Sequence, residues 1–131
     1  MVYIYYMANK DTKILIVEDD PTLLEMYSLK LKEEGFTFFA AADGETGLGI
    51  ALKEKPHVIL LDIMMPKMDG FTVLVELKKN QETKNIPVIM LSNLGQKNDV
   101  SKGKELGAND YIVKASMTPT QVVEKIKSYI K

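Results

Sequence analysis

The sequence predicts an α/β domain built as a doubly wound sheet of five parallel strands. Three observations predict it. Apolar runs alternate with segments of helical period, a pattern that places a parallel sheet between two helix layers. The runs at residues 13–17, 57–61, 87–91 and 111–113 are rich in β-branched residues and have no polar face, as expected for strands buried on both sides. The chain has 131 residues, 46% of them hydrophobic, which suits one domain with a core on each side of its sheet.

The elements follow in order. Residues 13–17 form the first strand and run into Glu18, Asp19 and Asp20. Pro21 opens the first helix, where a missing N–H costs nothing. Leu24, Tyr27 and Leu31 give that helix its apolar stripe, and Gly35 ends it. Residues 37–42 form a second, weaker strand. Asp43-Gly44-Glu45 then opens a helix carrying Leu48, Ala51 and Leu52, which Pro56 closes. The third strand is the most apolar and ends on Asp62. His57 is read as a structural residue at its buried start, far from that polar end.

Pro66 to Gly70 form a loop. Asp69 caps the third helix, with Phe71, Leu74 and Leu77 facing inward. Pro87 leads into the fourth strand, which ends on Ser92. Residues 96–106 make the weakest helix, with few apolar anchors and an interior Gly103 that costs about 1 kcal/mol relative to alanine. That helix is expected to be mobile. The fifth strand ends on Lys114. Thr118-Pro119-Thr120-Gln121 reads as a capping box with proline at the first helical position. Val122, Val123, Ile126 and Ile130 supply the last helix's stripe.

Seventeen basic and eighteen acidic residues give a net charge of −1, so no basic excess argues for nucleic-acid binding. The absence of cysteine excludes disulfides, thiolate metal sites and thiol catalysis, and one histidine cannot build a zinc site. No apolar stretch approaches the roughly 18 residues that span a bilayer. The apolar start, Met1 to Met7, is short and lacks a basic leader, so it is not read as a signal peptide. Residues 1–11 are expected to form a flexible extension, and 12–131 the domain. The bunched aromatics of the extension leave open an extra strand or a contact for a partner.

Parallel strands bring their carboxyl ends to one edge. In the order 2-1-3-4-5 the ligand crevice lies between the first and third strands. That edge collects the carboxylates of Asp19, Asp20 and Asp62, the hydroxyl of Ser92 and the ammonium of Lys114. Carboxylates grouped in this way repel one another unless a cation joins them. Oxygen ligands without histidine or cysteine suit Mg²⁺, and the grouping points to phosphoryl chemistry. Asp20 also reads as a helix cap, which does not account for Asp19 or Asp62.

These motifs together resemble the receiver domain of two-component response regulators, of the single-domain, chemotaxis-regulator-like kind. The resemblance rests on four motifs in order. They are Ile14-Leu15-Ile16-Val17-Glu18-Asp19-Asp20; Leu60-Leu61-Asp62-Ile63-Met64-Met65-Pro66-Lys67-Met68-Asp69-Gly70; Pro87-Val88-Ile89-Met90-Leu91-Ser92; and Gly107-Ala108-Asn109-Asp110-Tyr111-Ile112-Val113-Lys114. It covers residues 12 to 130 and implies a flavodoxin-like (βα)5 fold. It implies that Asp62 accepts a phosphoryl group from a phosphohistidine on a sensor histidine kinase or histidine phosphotransfer protein. Asp19, Asp62 and the Met64 backbone carbonyl would bind Mg²⁺, with Asp20 acting through water. Lys114 would contact the phosphoryl group, Ser92 would move to hydrogen-bond it, and Tyr111 would swing inward behind it.

The resemblance further implies a bacterial-type cytoplasmic signalling phosphoprotein that is not a conventional enzyme, although it catalyses its own phosphorylation and dephosphorylation. Output would pass through the face of the fourth helix, fifth strand and fifth helix to a downstream protein. No direct nucleic-acid binding or membrane insertion is expected, and a phosphorylation-dependent dimer is admitted. Whether the chain stands alone or is cut from a longer regulator stays open.

Four neighbours depart from the family pattern. Ala115 follows Lys114 where proline with a cis bond is usual. A cis bond there would cost roughly 2.5–4 kcal/mol, so a trans bond and a locally different loop at 115–118 are expected. Asn93 is larger than the usual alanine or glycine and narrows access to the phosphoryl site. Met64 and Leu94 cannot position an attacking water, so self-dephosphorylation is expected to be slow. A Mg²⁺-dependent phosphohydrolase with an aspartate nucleophile is the alternative reading, but it wants a second acid where Met64 stands. A nucleotide-binding module would need a Gly-x-x-x-x-Gly-Lys-Ser/Thr loop, which is absent.

Overall fold

A computed structural model describes residues 9–93 and 97–130. The expectation for residues 1–8 therefore lies outside the described residues, as does that for Leu94. The order along the chain is β1 (Lys13–Val17), α1 (Pro21–Glu33), β2 (Thr37–Ala41), α2 (Gly44–Glu54), β3 (Val58–Asp62), α3 (Gly70–Lys79), β4 (Val88–Ser92), α4 (Lys97–Glu105), β5 (Asp110–Val113) and α5 (Pro119–Lys127). The sheet is parallel throughout with strand order 2-1-3-4-5, as expected from the sequence.

Strand alternation sorts the core into two halves. Ile14, Ile16, Leu60 and Leu91 face Tyr27 and Leu31 of α1 and Val122, Val123 and Ile126 of α5. Leu15, Val17, Leu61 and Met90 face Ala51 of α2 and Phe71, Leu74 and Leu77 of α3. β3 and β4 are buried at every residue, which explains why they carry no polar face in the sequence.

Local chemistry fixes the helix starts beside the sheet's carboxyl edge. Asp20, Asp43 and Asp69 cap α1, α2 and α3 by accepting from backbone N–H groups in the first turn. Thr118 and Gln121 make both halves of the capping box at α5. In α4 the only apolar side chain, Val100, is 38% exposed. That helix touches the domain through Gly103, set against Met90, and through Lys102, whose Nζ lies 4.6 Å from the centre of the Phe71 ring.

Two expectations need comment. His57 is exposed, not buried, because β3 begins one residue later. Its role is still local: Nδ1 accepts from the Lys13 N–H at 3.0 Å, tying the starts of β1 and β3 together. After Lys114, residues Lys114–Ser116 form a 3₁₀ turn, and no peptide bond is cis among the described residues.

Two glycines test the packing in opposite directions. A Cβ on Gly70 would collide with the Asp62 carbonyl and Ile63 Cα, whereas one on Gly49 would meet nothing. Gly70→Ala is expected to lower unfolding free energy by about 1–3 kcal/mol. Gly49→Ala, within α2, is expected to raise it by about 0.5–1 kcal/mol. Urea unfolding of the two variants checks both signs.

Candidate functional site

The sheet's carboxyl edge opens into a cavity of about 680 Å³ lined by Asp19, Asp20, Asp62, Met64, Ser92, Asn93, Asp99 and Lys114. Strand register explains the grouping. Asp62 pairs with Leu91 and Ser92 with Val113, so the ends of β3, β4 and β5 step across the edge beside one another. Every site residue expected from the sequence except Tyr111 lines this cavity. Tyr111 sits on β5 beside a second hollow, of about 350 Å³, against α4.

At the centre, Lys114 Nζ lies 3.0 Å from Asp62 Oδ2 and 2.8 Å from Glu18 Oε1. The Asp62 and Glu18 side chains are 3% and 0% exposed. Burial, reinforced by the neighbouring Glu18 carboxylate, pushes the Asp62 carboxyl up to about 7. Burial alone would lower the Lys114 ammonium, but its contacts with Glu18 and Asp62 prevail and raise it. Tyr27 beneath the site is raised by burial and then by Glu18.

The carboxylates that converge are those of Glu18, Asp19 and Asp62, each offering an oxygen within 4.8 Å of the others. Asp20 is not brought into this group. Its Oδ1 accepts from the N–H groups of Thr22 and Leu23 and so serves the cap of α1. Glu18 takes the place that sequence reading gave to Asp20. A signal for this was present: Glu18 continues the β1 alternation on the face of Ile14 and Ile16, and its N–H bonds the Ala41 carbonyl as a sixth ladder residue. Asp99, in the first turn of α4, is the other lining residue that sequence reading passed over.

Glu18 Oε1 is buried and, despite its 2.8 Å approach to Lys114 Nζ, has no aligned hydrogen bond. One ammonium thus faces two buried carboxylates with a third beside them. An all-oxygen cluster carrying this surplus of negative charge fits a hard divalent cation.

The acid cluster of Glu18, Asp19 and Asp62 thus lies at the carboxyl edge of the 2-1-3-4-5 sheet, with Lys114 reaching back across it. The response regulator receiver domain family matches residues 14–127, and the chain belongs to that family, the phospho-signalling module of two-component systems. It is 42% identical over 102 residues to the DNA-binding dual master transcriptional regulator RpaA of Synechocystis sp., covering 78% of this chain and 42% of that protein. It is 40% identical over 125 residues to the probable transcriptional regulator ycf27 of Cyanophora paradoxa, covering 95% of this chain and 51% of that protein. The chain thus spans about half the length of these relatives, or less. Among solved structures, the chemotaxis response regulator CheY4 of Vibrio cholerae matches with a TM-score of 0.85 and 28% identity, over 92% of this chain and 100% of that one. A CheY-like receiver protein of Methanospirillum hungatei matches with a TM-score of 0.82 and 30% identity, over 89% and 91%. Among the described residues, no helix is long and apolar enough to cross a membrane.

The raised Asp62 carboxyl gives a signed prediction. A carboxyl that titrates higher in the folded state favours folding below its ordinary range, and that advantage is lost as pH rises through about 7. In magnesium-free buffer, Asp62→Asn is therefore expected to be more stable than the native chain by about 2–4 kcal/mol at pH 8, with the gap closing towards pH 4. Urea unfolding at both pH values measures it.

Proposed function

We propose that this domain is a phospho-acceptor switch in which Asp62 takes a phosphoryl group from a phosphohistidine on a sensor kinase or phosphotransfer protein. The observation that carries this reading is the buried Asp62 carboxylate held 3.0 Å from Lys114 Nζ at the mouth of an otherwise acidic cavity. A carboxylate oxygen of Asp62 attacks phosphorus, the P–N bond breaks, and the electron pair leaves on the imidazole nitrogen, which is protonated. Asp19, Asp62 and the Met64 backbone carbonyl would hold Mg²⁺, with Glu18 completing the acidic set and Asp20 kept at the rim as a cap. When bound, the cation supplies neutralisation of charge on the transferring group. Lys114 exchanges part of its contact with the acids for the new phosphoryl oxygens.

Phosphorylation adds roughly −1.5 to −2 charges and three acceptor oxygens beside Ser92. Ser92, 5% exposed at the end of β4, is the donor we assign to that group. Tyr111, which pairs with Met90 two residues before Ser92, borders the hollow beneath α4 and is assigned the inward swing. A helix whose one apolar side chain, Val100, is half-exposed is a suitable element for such a change to move. The surface of α4, β5 and α5 would then present the signal to a downstream protein. The DNA binding named for RpaA belongs to that whole protein and is not assigned to this domain. The hydrolase alternative gains no support, since Met64, at the place of the second acid, is 76% exposed with no charge to offer.

Incubation with a small phosphodonor and Mg²⁺ is expected to add one phosphoryl group by intact-mass measurement, and Asp62→Asn is expected to abolish the gain. Turnover of phosphate esters without an adduct would instead favour the hydrolase. Because Met64 offers no group to orient water, the adduct is expected to outlast seconds in Mg²⁺ buffer. Faster loss, followed by mass over time, would refute slow self-dephosphorylation.

A further inference from the structure

Eight methionines and no cysteine make thioethers the only oxidisable sulfur in this chain. Among the described residues their cover is uneven. Met90 lies fully buried in β4, Met65, Met68 and Met117 are half-buried, and Met26 is 41% exposed. Met64 stands furthest out, at 76%. The reach of an oxidant in solution follows exposure, so Met64 is the thioether of the described domain most open to attack.

The chain just after β3 sets that exposure. Ile63 is pinned on both sides: its N–H bonds the Leu91 carbonyl at 3.1 Å, and its carbonyl accepts from Gly70 N–H at 2.8 Å. Its side chain joins the core, and the exposed residue is the next one. Met64 lines the acid cavity and also a neighbouring hollow of about 500 Å³, shared with Asp19, Met65, Pro66 and Asp69. An apolar thioether thus stands in the wall of the cavity that would hold a phosphoryl group on Asp62. Carboxylates line the same cavity, so a neutral oxidant approaches more easily than an anionic one.

We propose, on the reading of Asp62 as phosphoryl acceptor, that Met64 is a site of oxidation by hydrogen peroxide and that its sulfoxide shortens the life of the phosphoryl group. The sulfur lone pair attacks one peroxide oxygen, an S–O bond forms and the O–O bond breaks. The departing hydroxide takes the proton from the transferred oxygen and leaves as water, so sulfur is oxidised and peroxide reduced. A flexible apolar side chain becomes a polar one with a strong acceptor oxygen. That oxygen accepts from one O–H of a water and turns the water's lone pair towards phosphorus. The water oxygen bonds phosphorus, the bond to Asp62 breaks, and its electron pair returns to the carboxylate. Both water protons leave with inorganic phosphate. Oxidation thereby supplies the water-holding group that the native side chain lacks, and turns a long-lived signal into a short-lived one.

Peroxide treatment of the full chain, limited to about one oxygen per molecule, tests this. Peptide mapping is expected to find Met64 oxidised at least about tenfold faster than Met90. The chain is then phosphorylated with phosphoramidate and Mg²⁺, and intact mass follows loss of the phosphoryl group once the donor is removed. Its half-life is expected to fall by at least about threefold, and to recover after treatment with methionine sulfoxide reductases. In Met64→Leu, peroxide is expected to leave that variant's own half-life unchanged, although its other methionines still oxidise. Met64→Gln, which carries an acceptor oxygen at this place, is expected to shorten the half-life without peroxide. Equal oxidation of Met64 and Met90, or a half-life that ignores a sulfoxide at Met64, would overturn the proposal. So would a fall that persists in Met64→Leu. Failure to gain a phosphoryl group before any peroxide is added would instead sink the reading of Asp62, and this inference with it.

Discussion

Two buried carboxylates on one ammonium are the constraint around which this domain is arranged. Glu18, Asp62 and Lys114 come from the ends of three different strands. They can meet only if β1, β3 and β5 run the same way with their carboxyl ends level. A buried ion pair is weak evidence for stability, because desolvation offsets much of the attraction. With one positive charge facing two negative ones, the balance is poorer still. The arrangement makes physical sense as a poised receptor for a cation and a phosphoryl group, which together would settle charges the protein alone leaves unbalanced.

The rest of the fold supplies the stability that this site does not. β3 and β4 are buried end to end, and apolar layers from α1 and α5 on one side and α2 and α3 on the other clamp them. Aspartates cap α1, α2 and α3 where they leave the same edge, so the loops around the cavity are held by local hydrogen bonds. α4 is the exception. It borders the cavity through Asp99 and the neighbouring hollow through Val100 and Gly103, yet has little apolar surface of its own to bury. A helix so lightly held is where added charge at Asp62 would have most effect, since small differences in contact energy suffice to shift it.

Much of this was legible in the chain. Strand positions, the aspartate caps at Asp20 and Asp69 and the capping box at Thr118 depend on contiguous runs and on residues two or three apart, and such signals survive in sequence. Asp62, Ser92 and Lys114 were legible because each terminates an apolar run. Glu18 was harder to see. In a run of three acids, composition cannot say which side chain points inward, and Pro21 drew attention to Asp20 as the last residue before the helix. His57 misled for a related reason: an apolar run suggested burial one residue before the sheet begins.

The sequence by itself determined the fold class, the parallel sheet, the helix boundaries and the identity of the central carboxylate. These follow from hydrophobic period and backbone hydrogen-bonding chemistry, which act over a few residues. The tertiary structure alone decided that Glu18 and not Asp20 shares Lys114 with Asp62, and that Asp99 reaches the cavity. Each of these depends on which distant elements cover a given atom. Burial, and the electrostatics that follow from it, are properties of the packed chain and not of any short stretch of it.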